Sequence, residues 1–302
     1  ENMLSGNIFK IQGFSTFDGP GIRTAIFLKG CPLRCKWCFN PESQKGVPEV
    51  LHYPDNCIQC GICANVCQQG AVLPSKTGRF IDKSRCIDCL KCAYSCPTDA
   101  MRIYGREASI EQIVSECLKD RAFYAKKGGV TLTGGEVLYQ PEFAIAILKA
   151  CKDNGLNTAI ETCGYGKSEH LLEMLKYTDH LMFDIKCIDA VKHERFTGKR
   201  NELILRNARL ASENHSDMTI CIPVIPSFND DDKELFAIAD FICSLPKVSL
   251  VDIRPYSLAG ISKYDRLFRK YELDKKNTLD SKRIEEISLI FASRDLKVNV
   301  GG

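Results

Sequence analysis

Of the 17 cysteines in this 302-residue chain, eleven crowd into three short runs before residue 97. Spacings that tight suit metal ligation far better than disulfide pairing, and the chain is too long for a small disulfide scaffold. Glu1 to Gly6 is short and polar, with no positive segment leading into an apolar one, so no secretory leader is expected. The cysteines therefore point to a reducing, anaerobic cytoplasm. With 44% hydrophobic residues the chain can bury one large domain, or one domain with an insertion. Lys and Arg total 41 against 38 Asp and Glu, a net charge of +3 that is too balanced for a nucleic-acid surface. No apolar run reaches the roughly 18 residues that a membrane helix needs.

The chain divides by character. Residues 1–47 hold two strand-like runs, Ile8 to Ile11 and Thr24 to Leu28, around the turn-rich Asp18-Gly19-Pro20-Gly21. Residues 48–104 contain two Cys-rich runs joined by a polar connection, Pro74 to Arg79, and read as a small inserted domain. From residue 105 onward, helical and strand patterns alternate. The helical runs are Ile110 to Tyr124, Pro141 to Lys152, Glu169 to Lys176, Leu203 to Ser212, Asp232 to Ser244 and Ser281 to Ser293. Each leads to a strand-like run: Val130 to Thr133, Thr158 to Ile160, Leu181 to Phe183, Met218 to Val224, Ser249 to Ile253 and Lys297 to Val300. Such alternation predicts βαβ units and a parallel sheet, an α/β fold. Six repeats without a closing pair favour a partial (β/α)6 TIM-like barrel, with a doubly wound sheet as the alternative. In both, the chemistry belongs at the C-terminal strand ends.

Cys31-Pro-Leu-Arg-Cys35-Lys-Trp37-Cys38 follows the strand Thr24 to Leu28. Three thiolates in C-x3-C-x2-C spacing can ligate three irons of a [4Fe–4S] cube and leave the fourth open to a small molecule, whereas a four-Cys site is closed. Zinc or free core cysteines is the competing reading. This loop resembles the signature of the radical S-adenosylmethionine (SAM) superfamily. There the open iron is chelated by the amino and carboxylate groups of SAM, and one electron cleaves a C–S bond. Thr133-Gly134-Gly135-Glu136, at the next strand end, is similar to that family's SAM-binding turn. Its glycines allow close backbone approach, and Glu136 could hold the amino group. Val137 stands where the family has Pro. The resemblance also implies SAM contacts for Trp37, Asp184 and Lys186.

Cys57-x2-Cys60-x2-Cys63-x3-Cys67 and Cys86-x2-Cys89-x2-Cys92-x3-Cys96-Pro97 repeat the bacterial ferredoxin pattern, with Gln68 replacing the first Pro. In that fold the fourth Cys of each run ligates the other cluster. Cys57, Cys60, Cys63 and Cys96 are then expected on one [4Fe–4S] cube, and Cys86, Cys89, Cys92 and Cys67 on another, three clusters in all with the SAM cluster. Zinc sites more often use paired C-x2-C with a long spacer.

The combination of a three-Cys loop, a two-cluster ferredoxin-like insertion and a barrel resembles the activating enzymes of glycyl-radical enzymes over nearly the whole chain. Ser15-Thr16-Phe17-Asp18-Gly19-Pro20-Gly21-Ile22-Arg23 is similar to the family's lead-in, and Phe39-Asn40-Pro41-Glu42-Ser43 to the stretch after its SAM loop. The resemblance implies a monovalent cation (Na+ or K+) held by Glu161, Thr162, Met182 through its carbonyl, and Asp184, with Lys186 near the SAM carboxylate. Asp18 matches a position close to the incoming peptide. Cys221 and Ser257 stand where the family has an Arg and a His. The implied partners are a glycyl-radical enzyme as protein substrate and a flavodoxin or ferredoxin as reductant, the chain itself being a monomer. No side chain need act as acid or base, which suits the small His count of 5.

Two other functions compete. A radical SAM enzyme with auxiliary clusters could act on a small molecule or peptide; such enzymes place extra cysteines after the barrel, but here none follows Cys243. A non-catalytic iron–sulfur electron carrier would have no use for an open iron. The six remaining cysteines (117, 151, 163, 187, 221 and 243) read as small core residues, with Cys163 and Cys187 beside motif residues.

Overall fold

The computed structural model describes residues 4–76, 78–274 and 278–301, so residues 1–3 of the polar lead and Thr77 of the 74–79 connection lie outside it. In chain order its strands are β1 (Ser5–Ser15), β2 (Arg23–Leu28), β3 (Glu49–His52), β4 (Val72–Ser75), β5 (Gly78–Ile81), β6 (Met101–Tyr104), β7 (Arg106–Ser109), β8 (Gly129–Gly134), β9 (Thr158–Thr162), β10 (His180–Asp184), β11 (Met218–Val224), β12 (Leu250–Pro255) and β13 (Val298–Val300). The helices are α1 (Ile62–Asn65), α2 (Lys91–Tyr94), α3 (Ile110–Lys119), α4 (Pro141–Asp153), α5 (Ser168–Leu175), α6 (Ala190–Thr197), α7 (Glu202–Asn214), α8 (Asp232–Cys243), α9 (Ile261–Arg266) and α10 (Ser281–Ala292).

Nine strands form one sheet in the order β13-β12-β11-β10-β9-β8-β2-β1-β7. From β2 to β13 every neighbouring pair is parallel, while β1 pairs antiparallel with both β2 and β7. Side chains alternate across a strand, and here the two faces differ in kind. Val130 and Leu132, Ile160, Leu181 and Phe183, Ile220 and Val251 pack into one apolar core with the helices. The residues between them, Thr131, Thr133, Glu161, Asp184, Asp252 and Arg254, project from the opposite face. Helices α3, α4, α5 and α7 pack in succession, and α8 packs on α10.

Several helices begin where local chemistry dictates. Ser109 and Gln112 form a reciprocal capping box on α3, and Asp231 and Asp280 accept the Glu234 and Arg283 backbone N–H groups. Helix α3 stops at Lys119, short of the expected Tyr124. The Tyr124 hydroxyl turns back to Thr24 Oγ1 (2.8 Å) and Cys117 O (2.6 Å), and Ala125 is left-handed. The chain 49–104 builds two small sheets, β3 with β6 and β4 with β5. Its core is separate: Val50, Cys63, Val72, Ile81, Cys92 and Met101. The polar connection expected at 74–79 is a hairpin, since Val72 and Leu73 pair with Ile81 and Phe80. No helix among the described residues is long and apolar enough to cross a membrane.

Candidate active site

Beyond Leu28 the chain enters the loop that carries Cys31, Cys35 and Cys38, and backbone hydrogen bonds fix it from three sides. Gly30 N donates to Ser43 O (2.6 Å) and Cys31 N to Gln44 O (3.2 Å), closing the loop on itself. Gly135 N donates to Leu28 O (2.9 Å) and Glu136 N to Gly30 O (2.8 Å), tying it to the end of β8. Arg34 N and Lys36 N reach Thr197 O (2.6 Å) and Phe196 O (3.1 Å) at the end of α6. Residues far along the chain complete the hold: Tyr264 Oη donates to Cys38 O (3.1 Å) and Lys263 Nζ to Phe39 O (3.0 Å). Trp37 packs its ring on Phe228, 4.6 Å between centroids, in a small apolar cluster with Cys187 and Ile225.

The three thiols are half-buried. Burial pushes Cys35 above the ordinary thiol range and Cys38 up to about 12, while a hydrogen bond with Cys163 lowers Cys31. Cys35 and Cys38, disfavoured as free thiolates, suit ligation to a metal that ionises them. Lys186 faces them. Burial works to lower its pKa, but Asp184 and the Cys35 and Cys163 thiols outweigh this and hold it above the ordinary range. Its ammonium donates to Asp184 Oδ2 at 2.6 Å, whereas Asp184 Oδ1 is buried with no partner.

Further carboxylates and one guanidinium occupy the same face. Arg254, from β12, ion-pairs with Glu161 Oε1, and its Nε donates to Asp252 Oδ2 (3.0 Å). Glu161 Oε2 accepts from Thr133 Oγ1 at 2.5 Å. Asp18 joins from the lead-in. Its carboxylate accepts from the Ser15 hydroxyl and its carbonyl from Thr131 Oγ1 (2.6 Å); burial raises its pKa, and Glu161 and Arg254 act on it electrostatically.

Glu136 is held within the wall of the site. It is 1% exposed and accepts from Leu138 N (3.0 Å), Thr162 Oγ1 (2.5 Å) and Cys163 N (2.7 Å). Three of about four acceptor positions are thus filled, and the carboxylate straps the end of β8 to the end of β9. Burial raises its pKa.

The two four-Cys runs fold alike. Gly61 and Leu90, both left-handed, start α1 and α2, placing Cys63 and Cys92 inside the small core. Ala71 N points at Cys67 Sγ (3.3 Å) and Met101 N at Cys96 Sγ (3.4 Å). Burial pushes Cys92 up to about 11, with Cys86, Cys63 and Cys67 adding to it, and Cys96 acts likewise on Cys63. Both runs therefore approach each other's fourth cysteine. Among the described residues no three Cys, His, Asp or Glu side chains converge as ligands of a single ion do. Zinc, with Zn–S near 2.3 Å, would draw thiolates to about 3.8 Å of one another. An iron–sulfur cube, with one iron per thiolate, spreads its thiolates wider than zinc does.

Residues 88–239 match the Radical SAM superfamily, residues 55–101 a 4Fe-4S dicluster domain and residues 17–71 a 4Fe-4S single cluster domain. The chain is 39% identical over 300 residues to the choline trimethylamine-lyase activating enzyme of Oleidesulfovibrio alaskensis, covering 97% of each protein. It is also 39% identical to the trans-4-hydroxy-L-proline dehydratase activating enzyme of Clostridioides difficile, across 98% of this chain and 99% of that one. This chain belongs to the radical SAM activating enzymes of glycyl-radical enzymes. The fold agrees: a radical SAM methyltransferase from Sphaerobacter thermophilus superposes with a TM-score of 0.54 at 11% identity, covering 92% of this chain and 66% of that one.

The activase's main unforeseen site residue is Arg254, just beyond the strand-like run Ser249 to Ile253. An arginine inside the apolar strand Leu-Val-Asp-Ile-Arg-Pro was the available signal. Cys163 does lie beside Cys31, whereas Cys187 packs with Trp37 and Phe228. Of the expected cation donors, the Thr162 hydroxyl is engaged by Glu136 and Gly164 N and Glu161 by Arg254, while Asp184 Oδ1 has no partner.

Proposed function

We propose that this activase installs a radical on a glycine of its partner enzyme, with Cys31, Cys35 and Cys38 holding the SAM cluster. The observation that carries this is a three-thiol loop next to a polar sheet face, at the C-terminal ends of the parallel strands. Bound there, the cluster would supply the one electron that cleaves the C5′–S bond of SAM to methionine, and the deoxyadenosyl fragment would leave as 5′-deoxyadenosine after taking one hydrogen atom from a glycine Cα. Lys186 and Asp184 orient the amino-acid end of SAM, the Gly134-Gly135 backbone lies along it, and Trp37 braces the loop. Glu136 keeps the β8 and β9 ends in register, and Asp18 faces the incoming glycine loop.

The residues 1–47 and 105–302 make one partial (β/α)6 barrel, and 48–104 is a ferredoxin-like insertion that brings the number of [4Fe–4S] clusters to three. Two features support the barrel. The helices follow one another around a single apolar face, whereas a doubly wound sheet needs them on both. Arg254 on β12 also touches Glu161 on β9; in a flat sheet those strands lie about 14 Å apart, and side chains that stand off it would not meet. In the insertion Cys60 and Cys89 are exposed, which suits electron entry from a flavodoxin or ferredoxin. The enzyme acts as a cytoplasmic monomer.

The test is anaerobic reconstitution, dithionite reduction with SAM, and detection of 5′-deoxyadenosine. Cys35→Ala should abolish the product, and a co-expressed glycyl-radical enzyme should gain a glycine-centred signal by electron paramagnetic resonance. A fully reconstituted wild type that forms no 5′-deoxyadenosine would overturn the reading and leave an electron carrier in its place.

A further inference from the structure

The polar face of the sheet lacks the oxygen cage that a monovalent cation needs. Of the four expected donors, Glu161 Oε1 is paired with Arg254 and its Oε2 accepts from Thr133. Thr162 is 1% exposed and points to the helical side, where its hydroxyl both donates to Glu136 and accepts from Gly164 N. Asp184 gives one oxygen to Lys186, which leaves Oδ1 as the one carboxylate oxygen without a partner. One free carboxylate oxygen beside the Met182 carbonyl is a poor cage for a hard cation that prefers several oxygens.

The positive charge is already there. Arg254 bridges Glu161 and Asp252, and its Nη2 lies 3.9 Å from Met182 Sδ, so the guanidinium spans β9, β10 and β12. It stands beside position 221 as well: Cys221 pairs with Asp252 in the β11–β12 register and Pro223 with Arg254. Cys221, fully buried, offers no charge of its own. Four carboxyl groups (Asp18, Glu161, Asp184 and Asp252) face two fixed cations (Lys186 and Arg254). That balance leaves net negative charge for SAM, whose sulfonium and ammonium outweigh its carboxylate. An added metal cation would offset part of it.

We propose that the Arg254 guanidinium is the built-in cation of this site, replacing a bound Na+ or K+ at Glu161 and restoring, from β12, the positive charge missing at position 221. Arg254 is thus a positioning residue, holding Glu161 and through it Thr133 at the strand ends beside the Cys31–Cys38 loop. The inference rests on the reading that SAM binds this face. It predicts that SAM affinity is indifferent to the monovalent cation in solution.

The test measures SAM binding to the reconstituted holoenzyme by equilibrium dialysis in sodium, potassium and tetramethylammonium chloride at equal ionic strength. Wild type should keep its Kd within about twofold across the three salts. Arg254→Met should bind SAM about tenfold more weakly in tetramethylammonium, equivalent to ~1.4 kcal/mol, and recover severalfold in sodium or potassium. Arg254→Lys, which keeps the charge, should stay indifferent to the salt. A wild type that loses about tenfold in tetramethylammonium overturns the proposal with no variant involved, as does an Arg254→Met protein that matches wild type in every salt. Failure of wild type to bind SAM in any salt would instead overturn the underlying assignment of the SAM site.

Discussion

Gly134→Ala tests how tightly the end of β8 is pressed against the cysteine loop. Gly134 has φ +110°, in a region that L side chains avoid, and a Cβ there would lie 2.5 Å from Leu28 N and 2.7 Å from Leu28 O. Those atoms are the backbone of the neighbouring strand, one residue before the loop, and cannot swing aside. The strained φ costs roughly 1–2 kcal/mol, and forcing the strands apart costs about 1–3 kcal/mol more. A total of about 2–5 kcal/mol would lower Tm by roughly 3–8 °C in a chain of this size. Gly155→Ala separates the two effects: Gly155 has φ +70°, but its nearest neighbour, an Arg121 guanidinium nitrogen, is 3.7 Å away. It should cost only the conformational part, about 1 kcal/mol. Anaerobic thermal unfolding followed by circular dichroism gives the stabilities, and iron content per chain gives cluster retention. If Gly134→Ala costs no more than Gly155→Ala and keeps its iron and its SAM cleavage, the close approach is not what positions the loop.

Three further outcomes follow from buried charge and from the insertion. Glu136→Gln sets an amide N–H₂ against the Cys163 N–H, and losing a charge-assisted bond while stranding a donor should cost about 3 kcal/mol in urea unfolding; an unchanged midpoint would mean that the strap carries no load. Lys29 is completely buried and its pKa is lowered to about 8, first by desolvation and only partly restored by Glu49. Because the unfolded chain then holds more protons between pH 8 and the unfolded value near 10.5, stability should rise with pH across that window, by ~3 kcal/mol at most. The rise should vanish in Lys29→Met, and identical slopes would refute it. Cys60→Ala and Cys89→Ala should leave activation by dithionite intact and lose activation by flavodoxin; loss of partner affinity alone would exclude electron relay.

The strands of the main sheet were legible because each is a short apolar run whose alternate residues face a buried core, as in Val130 to Leu132 and Leu181 to Phe183. The cysteine runs were legible because ligation is written in local spacing. What stayed hidden depends on partners distant in sequence. Strand β1 extends from Ser5 to Ser15, well beyond its apolar centre, because Ser5 to Ile8 pair with Arg106 to Ser109, about a hundred residues away. Helix α6 is polar along most of its length, with only His193 and Thr197 buried, so no periodicity announces it; Asp189 caps it and Gly198 ends it.

The site itself divides along the same line. Thr133, Glu161 and Asp184 could be assigned to strand ends from the runs they terminate, but their pairing could not, because it is set by strands that meet only when the sheet is assembled. Glu136 read as an open ligand since glycines precede it, yet the β9 end arrives with two N–H or O–H donors and folds it into the wall. Arg254 carried no reading of its own, yet curvature brings it across two intervening strands to Glu161. In both cases a charged side chain found its partner on another strand, and pairing within the fold is the condition on which a buried charge is tolerated at all. A charged residue inside an apolar strand of a parallel sheet is therefore best read as half of a pair, with its other half sought on the same face of the sheet rather than nearby in sequence.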